Sequence, residues 1–244
     1  MQLYGLLGYP LTHSFSQRYF SEKFKELGLT ESHAYQNFEV PSIDAFPALL
    51  QKYPDVRGFN VTIPYKKQIM RFLYEMNDAV KEMGACNCVQ IKNNKLYGYN
   101  TDIIGFEQSL QPYLKPFHTH ALILGTGGAA AAVAYVLRKL QISYLFVSRN
   151  SGEQTIQYQQ LDAVFLSKYT LIINTSPVGQ YPHLTASPDI PYELLGPNHH
   201  LYDLIYNPET TRFMELGKQQ GATVQNGYEM LVLQAEESWR IWNS

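Results

Sequence analysis

The heptapeptide Asn60-Val61-Thr62-Ile63-Pro64-Tyr65-Lys66 puts an amide, a hydroxyl and an ammonium within seven residues, a set suited to holding a polyhydroxylated anion. Apolar Gly58-Phe59-Asn60-Val61 leads into it as a strand, and Pro64 can add no strand hydrogen bond and fixes its own φ, so the chain must turn there. The groups beside the turn therefore sit at a strand end, where α/β folds present residues to ligands. Asp102 lies thirty-six residues beyond Lys66. Reducing a ketone by hydride leaves an alkoxide that needs a proton, and the reverse reaction needs a base. A Lys–Asp pair meets both needs, each partner biasing the other's pKa. On their own, Asp102 also reads as the N-cap of a helix starting at Ile103, and Lys66 as a solvated helix face.

A second constellation is Leu124-Gly125-Thr126-Gly127-Gly128-Ala129-Ala130, which follows an apolar strand and opens an Ala-rich helix. Gly125, Gly127 and Ala130 fit the G-x-G-x-x-A dinucleotide fingerprint, in which Gly127 lets the backbone approach a pyrophosphate held at the helix N-terminus. The next strand ends at Val147-Ser148-Arg149-Asn150, with no acid to take the ribose hydroxyls of NAD and with an Arg suited to the 2′-phosphate of NADP. The cofactor expected is NADP.

These groups need elements to position them. The first hundred residues alternate strand and helix signals: strands over 3–8, 34–40 and 59–62, and helices over 16–27 and 43–50. A third helix is expected from the stripe Ile69, Phe72, Leu73, Met76 and Val80. Asn93-Asn94 between 86–91 and 95–99 predicts a hairpin, and 100–110 reads as a strand end feeding a helix. From about residue 119 a βαβ rhythm sets in, with strands at 121–124, 144–147, 171–174, 201–205 and 223–224 around a helix over 129–140. Residues 228–242 carry Met230, Leu231, Leu233, Ala235 and Trp239 at roughly helical spacing.

Composition narrows the classes. The 244 residues can bury a real core, and 19 basic against 21 acidic side chains leave no electrostatic footprint for nucleic acid. Cys86 and Cys88 form a lone Cys-x-Cys, a poor metal site, and reduced thiols are expected with no metal. The chain opens in an apolar strand, without a basic-then-apolar leader or a long apolar span, so neither membrane nor export is expected and the location expected is cytoplasmic.

Taken in order, Ser14-Phe15-Ser16, the heptapeptide, Gly84-Ala85-Cys86-Asn87, Asn100-Thr101-Asp102, the Gly-rich turn, Asn174-Thr175-Ser176-Pro177-Val178-Gly179, Asp203-Leu204-Ile205-Tyr206-Asn207-Pro208 and Gly227-Tyr228-Glu229-Met230-Leu231 resemble the shikimate dehydrogenase family over nearly the whole chain. The resemblance implies an α/β fold: an N-terminal α/β substrate domain plus a doubly wound, Rossmann-like dinucleotide-binding domain, with the cleft between them. The expected boundaries are 1–101 for the substrate domain, joined by a closing helix at 228–244, and 102–227 for the NADP-binding domain. It implies reversible reduction of 3-dehydroshikimate to shikimate with NADPH, in aromatic amino-acid biosynthesis, by a monomer or homodimer. Lys66 and Asp102 would be catalytic. Ser14 and Ser16 would hold the substrate carboxylate, one of them doubling as a helix cap, with Ser16 expected in that place. Thr62, Asn87 and Gln234 would be further substrate contacts, and Tyr206 would line the same cleft; Asn87 also reads as a buried amide tying two strands. Gly125, Gly127, Gly128, Ala129, Ala130, Ser148, Arg149, Asn150 and Gly227 would bind the cofactor. Tyr65 and Tyr99 stand where the family often has His, the second basic residue of the phosphate clamp is missing, and the closing helices are trimmed to one. A quinate/shikimate relative, acting on quinate or using NAD, and a non-catalytic sensor of shikimate-like ligands are the rivals; a sensor need not retain both Lys66 and Asp102.

Overall fold

The computed structural model describes residues 1–11 and 15–244. Ser14, expected at the substrate carboxylate, lies outside the described residues. The chain divides into two compact units, Met1–Thr101 with Ala235–Ser244 and Asp102–Gln234.

The first unit contains β1 (Gln2–Gly8), α1 (Phe15–Glu26), β2 (His33–Glu39), α2 (Phe46–Lys52), β3 (Val56–Val61), β4 (Glu75–Met76), α3 (Asp78–Met83), β5 (Cys88–Lys92) and β6 (Lys95–Tyr99). Its sheet runs β2-β1-β3-β5-β6-β4, with β1 parallel to β2 and β3, and β5 antiparallel to β3 and β6. Asn93 and Asn94, both at positive φ (52° and 59°), make the tight turn between β5 and β6, the conformation that asparagine tolerates best after glycine. One core cluster joins Leu7, Phe46, Phe59, Ile69 and Val80, and another Tyr4, Phe20, Phe24, Cys88 and Trp242. Trp242 donates its indole N–H to the Val89 carbonyl at 3.0 Å and stacks on Tyr4 at 4.8 Å. A Cβ at residue 58 would collide with this indole, which is why β3 carries Gly58 there.

The helix expected from Ile69 to Val80 is not continuous. A 3₁₀ turn over Gln68–Phe72 gives way to the short β4, and α3 starts afresh behind Asn77. Backbone hydrogen bonds from Tyr74 to Leu96 and from Asn77 to Gly98 draw this stretch onto β6, and the Asn77 side chain accepts from Val80 N–H at 3.0 Å. Sheet pairing and a good N-cap outcompete an apolar stripe that fits either arrangement.

The helices α4 (Thr101–Leu110) and α8 (Tyr228–Trp242) each begin or end across the division; between them come β7 (His120–Leu124), α5 (Gly128–Lys139), β8 (Ser143–Ser148), β9 (Thr155–Gln157), α6 (Ala163–Lys168), β10 (Leu171–Asn174), β11 (His200–Asp203), α7 (Arg212–Gln219) and β12 (Thr223–Gln225). The all-parallel sheet of the second unit runs β12-β11-β10-β7-β8-β9. Counted from β7 this is the doubly wound order 3-2-1-4-5-6, with its switch point between β7 and β10. The central strands β7 and β10 are buried almost end to end, as a sheet covered on both faces requires. No helix among the described residues is long and apolar enough to cross a membrane.

Candidate active site

In the first unit the chemistry-bearing segments are laced together by backbone hydrogen bonds. Val61 N–H donates to the Asn87 carbonyl at 2.8 Å, and Cys86 N–H to the Lys66 carbonyl at 2.8 Å. Thr62 N–H donates to Leu7 at 2.9 Å, and Thr62 O accepts from Tyr65 N–H at 2.9 Å, so the turn after β3 is pinned on both sides. Tyr65 is buried and its hydroxyl donates to the Val40 carbonyl, making it a pillar under the turn rather than a ligand group. Thr62 and Lys66 remain half-exposed above it.

Asn87 is engaged by α4. Its Oδ1 accepts from Thr101 N–H at 2.6 Å, and its Nδ2 donates to Thr101 Oγ1 at 3.1 Å. This satisfies one of the orphan donors of the helix start and fixes the residue that precedes Asp102. Asp102 therefore lies in the first turn of α4, not at its cap, where a carboxylate is stabilised by the helix dipole. From Asn87 and Thr101 a buried polar chain continues. Thr101 Oγ1 lies 3.3 Å from Ser238 Oγ, Asn60 Nδ2 donates to Ser238 at 2.8 Å, and Tyr35 donates to Asn60 Oδ1 at 2.9 Å. Ser16 hydrogen-bonds Tyr35, whose burial pushes its pKa well up. Asn60, expected to help hold a ligand, is thus consumed inside the unit, and its neighbours Tyr35 and Ser238 explain why an amide sits in a strand core. Ser16 is the second residue of α1, which starts at Phe15, so it is not the cap. The buried thiols are held protonated, Cys86 being pushed up to about 12 chiefly by desolvation.

In the second unit the Gly-rich turn has the geometry of an anion cradle. Gly125 has φ +106°, and a Cβ there would press on Thr175 Oγ1 at 3.1 Å. Gly127 caps α5 and Gly128 is its first residue; a Cβ on either meets no atom of the described residues within 4 Å, its chain neighbours and the helix's own backbone aside. Nothing in the protein demands glycine at these two positions, whereas a ligand approaching the exposed N–H groups of the helix start does. Ala130 is buried beneath them. At the end of β8 the Ser148 hydroxyl both donates to Asn150 O (2.8 Å) and accepts from Asn150 N–H (3.1 Å), shaping the bend that exposes Arg149. These residues fit a dinucleotide carrying a 2′-phosphate. Ala129 belongs to the first turn of α5. Gly227 has a packing reason of its own, since a Cβ there would run into the Leu204 carbonyl. Gln234 lies on α8 against Gly105 of α4, its Nε2 donating to Leu231 O at 3.1 Å.

Beyond the switch point, a cavity of about 240 Å³ opens at the ends of β10 and β11. Its walls are Thr175, Ser176, Pro177 and Gln180 on one side and Leu204, Ile205, Tyr206 and Asn207 on the other. Of these, Tyr206 is the one the sequence singles out; the blocks Asn174–Gly179 and Asp203–Pro208 supply all the others but Gln180 and are the available signal. No cluster of His, Cys, Asp and Glu among the described residues could hold a metal ion.

Residues 6–89 match the shikimate dehydrogenase substrate-binding domain family. The chain is 36% identical to a Clostridium beijerinckii protein named shikimate dehydrogenase (NADP(+)), covering 99% of this chain and 92% of that one. The crystal structure of Thermus thermophilus shikimate 5-dehydrogenase in complex with NADP(H) and shikimate superposes with a TM-score of 0.85 at 30% identity, over 99% of this chain and 93% of that one. A ligand-free 5-ketofructose reductase from Gluconobacter sp. strain CHM43 is also similar, with a TM-score of 0.85 at 25% identity, over 99% of this chain and 92% of that one.

Proposed function

Since the chain belongs to the shikimate dehydrogenase family, we propose that it is an NADP-dependent oxidoreductase that interconverts 3-dehydroshikimate and shikimate. The observation that carries this reading is the 36% identity, running over 99% of the chain, to a relative named for that reaction and cofactor. Bound NADPH supplies the hydride. Gly127 and Gly128 present the backbone N–H groups that would hold its pyrophosphate, Arg149 takes the 2′-phosphate with Ser148 and Asn150 shaping its bend, and Gly125, Ala129, Ala130 and Gly227 let the backbone and helix pack close to it. Thr175, Ser176 and Tyr206 line the pocket for the ring that carries the hydride.

On the substrate side Ser14 and Ser16 hold the carboxylate, and Thr62, Asn87 and Gln234 take the ring hydroxyls. The Lys66–Asp102 pair delivers a proton to the oxygen of the reduced carbonyl as the hydride reaches its carbon, and removes that proton in the reverse direction. Asn87 serves this chemistry twice, since it also holds Thr101, the residue before Asp102. Residues 1–101 with 228–244 thus act as the substrate domain and 102–227 as the cofactor domain. A cytoplasmic location and a monomeric or dimeric state go with this reading.

The deciding experiment follows NADPH absorbance with the purified protein. Turnover with shikimate and NADP⁺ should exceed that with quinate, and should exceed that with NAD⁺ by at least about tenfold, the loss expected when a charge-assisted contact to the 2′-phosphate worth more than about 1.4 kcal/mol is missing. Binding of shikimate without any turnover would identify a sensor instead. Activity on 5-ketofructose in place of 3-dehydroshikimate would move the chain to the reaction for which the similar Gluconobacter structure is named.

A further inference from the structure

The pocket at the ends of β10 and β11 has two walls on two separate loops, and one buried carboxylate reaches both. Asp203, the last residue of β11, is fully buried. Its Oδ1 accepts from Asn174 Nδ2 at 3.0 Å and from Ile205 N–H at 3.0 Å, and its Oδ2 accepts from Thr211 Oγ1 at 2.6 Å. Asn174 passes the constraint on: its Oδ1 accepts from Ser176 N–H at 3.0 Å and from Ser176 Oγ at 2.7 Å, and its Nδ2 also donates to Val178 O at 3.3 Å. One branch therefore shapes the Thr175–Gln180 wall and the other the Leu204–Asn207 wall that carries Tyr206. The third branch ends on Thr211, whose hydroxyl also accepts from Met214 N–H as the cap of α7.

We propose that Asp203 is a positioning residue for hydride transfer, setting the separation and orientation of the two pocket walls without itself lining the pocket. The proposal rests on reading this pocket as the seat of the hydride-carrying ring. Hydrogen bonds to an ionised acceptor are about twice as strong as neutral ones, so a carboxylate holds three donors more rigidly than an amide could. An Asn here would bring an N–H₂ group where only donors point, and at least one of the three contacts would be lost. Burial pushes the Asp203 pKa up to about 6, which leaves the side chain mainly ionised at neutral pH, so that the three donors face a charged acceptor.

The test compares Asp203→Asn, Thr211→Val and Thr211→Ser by steady-state kinetics, NADPH fluorescence titration and thermal unfolding. Misplacing the ring by about 1 Å costs up to about 10²-fold in rate. Asp203→Asn should therefore lower kcat by about 10–10²-fold, with the KM for shikimate and the Kd for NADPH changed by less than about threefold, since the phosphate contacts are untouched. Thr211→Val should fall part of the way and Thr211→Ser should restore the native kcat, because only the hydroxyl matters. A folded Asp203→Asn with kcat within twofold of native overturns the proposal. Should that variant fail to fold, a Thr211→Val enzyme with native kcat overturns it equally. Ser176→Trp, which fills the pocket, tests the premise separately: native turnover in that variant means that the ring sits elsewhere, and the proposal falls with the pocket, whatever Asp203→Asn does.

Discussion

Burial makes ionisation of the Asp203 carboxyl unfavourable, moving its pKa from 3.8 up to about 6. The unfolded chain ionises the same group near its ordinary value, so as pH rises from about 4 to 6 the unfolded state gains and the fold loses. The neutral side chain's contribution is present in full below about pH 4 and is gone above about pH 6, a swing of about 3 kcal/mol. Asp203→Asn abolishes this titration. Its stability relative to the native protein should therefore rise by about 3 kcal/mol between pH 4 and pH 7, whatever constant offset its lost hydrogen bonds impose. Denaturant unfolding across that range checks this, and two parallel stability curves would refute it. On the proposed reading, Lys66 and Arg149 serve turnover rather than folding. Lys66→Ala should fold, bind shikimate within about tenfold of native and lose about 10²–10⁴ in kcat, the usual worth of a general acid–base group. Arg149→Ala should raise the KM for NADP⁺ far more than that for NAD⁺, because only the former has a phosphate for the guanidinium to grip; equal losses would make Arg149 structural.

At the scale of elements, the start of α5 separates what folding needs from what binding needs. Because no atom of the described residues outside the helix start itself lies near a Cβ at residue 128, Gly128→Ala should leave the ligand-free melting midpoint unchanged or raise stability by up to about 1 kcal/mol, through better helix propensity. On the proposed reading the same methyl group stands where the pyrophosphate approaches, so NADPH affinity should fall at least about tenfold. Titration and thermal unfolding of this one variant check both halves; unchanged affinity would move the phosphates away from α5. Elements whose signals are local were legible in the chain: the Asn93-Asn94 turn, the apolar run 171–174, and the Gly-rich entry to α5. The stretch from Ile69 to Val80 was not, because apolar spacing of three and four suits a helix as well as a 3₁₀ turn followed by an edge strand, and only β6 decides. The edge strand β9, Thr155–Gln157, is too short and polar to announce itself. Within the proposed site, Lys66, Asp102 and the glycines stand out by type. Asn60 misled, since nothing local reveals that Tyr35 and Ser238 wait on either side of it.

At the scale of the molecule, residues from both ends of the sequence build one unit. Ala235–Ser244 groups with Met1–Thr101, and its Trp242, Ile241 and Ala235 complete the cluster around Tyr4, Phe20 and Phe24. Lys23 also pairs with Glu236 at 2.7 Å, and Gln90 donates to the Ile241 carbonyl at 2.5 Å. Removing a buried Trp alone costs about 3–5 kcal/mol. A chain stopped after Gln234 should therefore lose shikimate binding and the first unit's cooperative unfolding, while its second unit still quenches or enhances NADPH fluorescence on binding. Retained shikimate binding in that truncated chain would show that the first unit closes without Trp242.

The same arrangement sets an order of events during synthesis. At about 5–20 residues per second, the 133 residues from Asp102 to Gln234 take roughly 7–27 s to translate. Over the later part of that interval the first hundred residues are outside the ribosome with the face that receives Trp242 still open, since Ala235–Ser244 has yet to be made. Of the two units, the one whose synthesis starts first is thus the one that waits for its last residues, and in that window its aromatic face around Tyr4, Phe20 and Phe24 lacks the cover of Trp242.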